Sequence, residues 1–71
     1  EETIEEGDVV RITGETYYGD FEEGTLAIVS YFDENKTSGL ARIVIETEVD
    51  IDRTSADNLE LVAKKSDRKD V

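Results

Sequence analysis

The chain contains no cysteine, histidine, proline, methionine or tryptophan. Without cysteine there is neither a disulfide framework nor a thiolate metal site, so stability has to come from apolar packing and backbone hydrogen bonds. Without histidine the Ser-His and Cys-His nucleophile pairs are excluded, and zinc would have carboxylates as its only ligands. The expectation is a protein that is not an enzyme and holds no metal or cofactor. No apolar run approaches the roughly 18 residues that cross a bilayer, and no basic start followed by an apolar stretch suggests an export signal. Together with the missing cysteine this predicts a cytoplasmic protein without membrane association. A start at Glu1 instead of a methionine reads as a trimmed product or an excised domain.

Basic residues are also scarce, with eight Lys and Arg against nineteen Asp and Glu and a net charge of −11. Residues 64–71 hold Lys64, Lys65, Arg68 and Lys69 against Asp67 and Asp70, so residues 1–63 carry a net −13. A body this acidic repels phosphate backbones, which disfavours direct nucleic-acid binding. Strong acidity serves solubility or adaptation to high salt; alternatively it imitates nucleic acid and occupies a protein that binds it. Crowded carboxylates are also expected to titrate high, so that the fold gains stability from pH 7 toward about pH 5 and from moderate salt.

At 71 residues the chain is one domain, near the lower size at which a core holds itself together. Residues 1–6 form an acidic lead with Ile4 as its one apolar anchor, and 64–71 a basic polar tail; both are expected to be mobile at the ends of a 7–63 core. Strand one falls at about 8–13, where Val9, Val10 and Ile12 are β-branched and Gly7 marks the entrance. Residues 14–23 form a long loop with Tyr17, Tyr18 and Phe21 between Gly14 and Gly19. Strand two, about 25–32, is almost continuously apolar, as for a central strand covered on both sides. A polar connector, 33–39, leads as a hairpin into strand three at about 40–46. Strand four is expected at about 48–53 if a turn falls near Thr47. A single helical turn follows, capped by Thr54 or Ser55, and strand five at about 59–63 closes the domain.

This order, with Gly7-Asp8-Val9-Val10-Arg11-Ile12, Gly24-Thr25-Leu26 and Asp57-Asn58-Leu59-Glu60-Leu61-Val62, resembles the small stand-alone SH3-like barrel proteins of phage and bacteria, related in shape to KOW and Tudor modules. The resemblance implies an all-β, five-stranded SH3-like barrel and a small accessory protein that binds another protein. Two family activities are not carried over. Eukaryotic SH3 peptide grooves use a tryptophan that is missing here, and KOW-type contacts to nucleic acid use basic residues where this chain is acidic. A five-stranded OB-fold shares the strand count and is the alternative.

Seven residues are candidates for a partner surface. Tyr17, Tyr18 and Phe21 bring large rings at low entropic cost, the property of an interface anchor, although a ring here, Phe21 above all, can equally plug the end of the barrel. Glu46, Glu48, Asp50 and Asp52 alternate with Thr47, Val49 and Ile51. In an unbroken strand they would share one face at intervals of about 6.8 Å, comparable to successive phosphates, whereas a turn near Thr47 would break that run. An ordinary charged edge strand has the same pattern. The first functional expectation is therefore a non-enzymatic protein-binding module, and the alternative an acidic nucleic-acid mimic that blocks a DNA- or RNA-binding host enzyme. Asp33-x-Asn35-x-Thr37 starts like a calcium loop, but its twelfth position is Val44 instead of glutamate and no helices flank it. Asn35-Lys36-Thr37 matches a glycosylation triplet and, without an export signal, reads as coincidence.

Overall fold

The computed structural model describes residues 3–33 and 41–65. Most of the 33–39 connector, with Asn35 and Thr37, and the tail residues Arg68 and Lys69 lie outside the described residues. β1 is Val9–Ile12, β2 Leu26–Phe32, β3 Ile43–Glu46, β4 Ile51–Thr54 and β5 Leu59–Ala63, with a 3-10 turn at Ala56–Asn58 before β5. The strands form one antiparallel sheet in the order β4-β3-β2-β1-β5. No ladder joins β4 to β5 among the described residues, so the all-β, five-stranded antiparallel architecture is established as an open sheet.

One side of this sheet carries the core. Val10 and Ile12 of β1, Ala27 and Val29 of β2, Ile43 and Ile45 of β3 and Leu59 of β5 pack together with Phe21, and Ile4 and Phe32 lean against them. The period-two spacing within each strand puts these residues on a common side. β2 departs from expectation: its inward residues are buried, but Leu26 and Ile28 are about half exposed on the other side, which the described residues cover only in part.

The two ends of the described chain meet at Asp8, a buried carboxylate. Its Oδ2 accepts Lys64 Nζ at 2.8 Å and the Glu5 N–H at 2.7 Å, and its Oδ1 accepts the Lys65 N–H at 2.8 Å. Lys64 Nζ also donates to the Thr3 carbonyl at 2.6 Å and to Glu5 Oε1 at 3.3 Å. Residues 3–6 and 64–65, expected to be mobile, are thus tied to one another and to the start of β1. Burial alone would push the Asp8 carboxyl up, but the Lys64 ammonium and the two backbone donors outweigh it and hold the group below its ordinary range.

Candidate functional site

Residues 47–50 settle what becomes of the acidic stripe. The Thr47 N–H donates to the Asp50 carbonyl at 2.8 Å, and Thr47 Oγ1 accepts the N–H groups of Val49 and Asp50. This turn joins β3 to β4 with Glu46 opposite Ile51. Partners in an antiparallel pair share a face, and 46 and 51 differ by an odd number, so the in-out alternation reverses across the turn. Glu46 stays outward and Asp52 goes inward. Glu46, Glu48 and Asp50 are exposed, whereas Asp52 is 1% exposed, so the four acids do not form one face and Asp52 is not a surface contact.

Asp52 instead holds the long loop between β1 and β2. Its Oδ1 accepts the Tyr18 N–H at 2.9 Å and the Arg53 N–H at 2.7 Å, and its Oδ2 accepts the Asp20 N–H at 3.0 Å. The Tyr17 N–H donates to the Arg53 carbonyl at 2.7 Å, and Thr54 Oγ1 donates to the Glu15 carbonyl at 2.8 Å. The loop therefore pairs along the outer edge of β4, where open backbone groups would invite another strand. Thr54, expected as a possible helix cap, is the buried last residue of β4, and Ser55 stands at the cap position without a side-chain cap bond. Burial pushes the Asp52 carboxyl up, but the nearby Thr16 hydroxyl and the three N–H donors hold it below the ordinary carboxylate range. Thr16 Oγ1 is buried and closes no hydrogen bond of good geometry among the described residues. An ionised carboxylate saturated by N–H donors has no proton to exchange near neutral pH. Its role here is to fix the loop.

Of the three loop aromatics, Phe21 turns into the core and plugs it, and is not a surface anchor. Tyr17 and Tyr18 stay 54% and 62% exposed and meet edge to face with ring centroids 4.9 Å apart. Tyr18 comes over the outer side of the sheet, where Tyr31 of β2, Val44 of β3 and Arg53 of β4 lie side by side by register and, with Ile51, line a small concavity. Arg53 crosses this end: its Nη1 donates to Asp33 Oδ2 at 3.0 Å and to the Ala41 carbonyl at 3.1 Å, and the Asp33 carboxylate raises its pKa further.

The exposed large apolar residues Leu26, Ile28, Tyr31 and Ile51 thus share the outer side of the sheet with Tyr18, and Glu46, Glu48 and Asp50 border it. Tyr31, Leu26, Ile28 and Ile51 were not singled out from the sequence. The available signal was the uninterrupted apolar content of β2, which looks the same for a strand covered on both sides and for one that leaves a side bare. Among the described residues no group of three or more Asp or Glu side chains is placed to hold a metal ion, and no helix is long and apolar enough to cross a membrane. The chain matches no family model, no curated protein and no solved structure.

Proposed function

We propose that this chain is a protein-binding module of SH3-like shape, contacting its partner through Tyr17, Tyr18, Tyr31 and Ile51 with the acids Glu46, Glu48 and Asp50 around them. The strand order β4-β3-β2-β1-β5 and the 3-10 turn before β5 support the SH3-like reading over an OB-fold. The observation that carries the functional reading is the gathering of exposed rings and aliphatic side chains on one side of the sheet, where a clamped loop holds two of the rings in place. Large rings on a rigid base are the residues that most often dominate binding energy. The nucleic-acid mimic keeps the overall charge in its favour but loses its regular spacing, since Asp52 is inward.

Partner capture from a cell extract tests this reading when wild type is compared with the double variant Tyr17→Ala/Tyr18→Ala. The variant should keep its circular-dichroism spectrum, since both rings are exposed, and should retain a specific partner at least about tenfold less well. Equal capture by both proteins counts against the aromatic face. A partner released by added duplex DNA, and insensitive to the tyrosines, would establish the mimic instead.

A further inference from the structure

Next to the aromatic end, the outer side of the sheet opens into a groove of about 630 Å³ whose floor includes Val9, Leu26 and Ile28 and whose walls include Glu46, Glu48 and Val49. Cross-strand register aligns Val9, Ile28, Glu46 and Ile51 in one row over four strands. At 4.7–4.9 Å between strands the three members of that row that line the groove, Val9, Ile28 and Glu46, span about 10 Å, close to the roughly 10–12 Å diameter of one α-helix. The floor is aliphatic, and among the described residues the charged side chains lining the groove are the two glutamates. Arg11, which lies beside Leu26 by register, is engaged by Glu60 at 2.9 Å and does not offset them.

We infer that this groove docks a cationic amphipathic segment of a partner protein, with aliphatic side chains on Leu26 and Ile28 and Lys or Arg side chains against Glu46 and Glu48. Apolar floor and acidic wall each select half of such a segment. A second copy of this chain fits poorly, because it brings another net charge of −11 and the same two glutamates to the contact. The inference rests on the protein-binding reading for the class of partner, but it uses different residues.

Fluorescence anisotropy with a labelled helical peptide of roughly 14 residues, leucines on one side and lysines on the other, tests it against a matched peptide with glutamate for lysine. The lysine peptide should bind, and should weaken at least about tenfold from about 0.05 to about 0.5 M NaCl. Leu26→Ser/Ile28→Ser should weaken it at least about tenfold without changing any charge. Should that variant not fold, Val49→Ser, altering a side chain 86% exposed, carries the same test with a loss of about threefold or more. Tyr17→Ala/Tyr18→Ala should change peptide binding by less than about twofold. Undiminished binding by the folded serine variants would reduce the attraction to net charge and overturn the proposal, as would equal binding of the glutamate peptide or loss of binding in the tyrosine variant. A dimer in sedimentation equilibrium that Ile28→Ser dissociates would assign the groove to a second copy. If the tyrosine variant still captures its extract partner while the peptide needs Leu26 and Ile28, the aromatic reading falls and the groove stands.

Discussion

Two aspartates organise this protein, and both do so as buried acceptors of backbone N–H groups. Asp8 joins the beginning and end of the described chain, and Asp52 fastens the long loop to β4. A buried carboxylate is tolerable when its oxygens are filled by donors, and hydrogen bonds to a charged group are each worth about 1.5–3 kcal/mol. Asp52→Ala strips the acceptor from the N–H groups of Tyr18, Asp20 and Arg53 together. The expected loss is about 2–3 kcal/mol of unfolding free energy at pH 7, less than three full bonds because a loosened loop can hydrate its own donors. Urea denaturation measures this directly; a loss under about 0.5 kcal/mol would mean that Phe21 and the loop's bonds to Arg53 and Thr54 hold it without Asp52. Hydrogen exchange offers a local reading. The Tyr18 and Asp20 amides should be protected in the wild type and exchange much faster in the variant, while amides of β1 and β2 stay slow.

At the level of strands and turns, most of the sheet was legible in the sequence. β-branched residues and bounding glycines placed strand one at 8–13 and strand two at 25–32, against Val9–Ile12 and Leu26–Phe32. Gly24 does this by its conformation: it enters β2 at φ +94°, which side chains rarely adopt. Strand five at 59–63 matches Leu59–Ala63. At β3–β4 the turn expected near Thr47 is present and breaks the run of acids, but strand four begins at Ile51 instead of about 48, and sequence alternation could not reveal the reversal of phase across the turn. Only the pairing of Glu46 with Ile51 shows that Asp52 faces inward beside Ile45. The candidate site was legible in Tyr17 and Tyr18, where loop aromatics stood out against a chain with five aromatics. It was not legible in Leu26 and Ile28, whose exposure depends on how far the loop carrying Tyr18 reaches over the outer side of the sheet. Thr47 makes the turn testable. Thr47→Val keeps shape and β-propensity but removes the acceptor for the Val49 and Asp50 N–H groups, at an expected cost of about 1 kcal/mol because both donors are exposed and can turn to water. A denaturation midpoint equal to that of wild type would show that backbone pairing alone sets the turn.

For the molecule as a whole, a net charge of −11 on 71 residues sets long-range repulsion against local clamps. Repulsion in the compact state is screened by salt, so moderate salt at pH 7 should raise the denaturant midpoint. The sequence suggested that acidification would help for the same reason, through carboxyl groups titrating high. Asp8 and Asp52 go the other way: burial works upward on each, but the donors around them prevail and both shift down from the ordinary 3.8. A carboxyl that titrates lower when folded than when unfolded contributes stability above its unfolded value, and loses it as pH falls through the folded one. These two contributions are therefore intact from pH 7 to about pH 5 and are lost below about pH 4. Lys64 has the opposite sign. Chiefly because Asp8 accepts its hydrogen bond, its pKa is raised from 10.5, so its contribution is complete below that value and lost as pH rises through the folded one. Denaturant midpoints at pH 7, 5 and 3, each at low and moderate salt, separate the terms. Salt should raise the midpoint at pH 7, the midpoint should fall between pH 5 and pH 3, and Asp52→Asn should show a smaller fall because one of the titrating clamps is gone. A midpoint at pH 3 equal to or above that at pH 5 would mean that relief of repulsion outweighs the loss of both clamps, and that long-range charge sets the acid response of the fold.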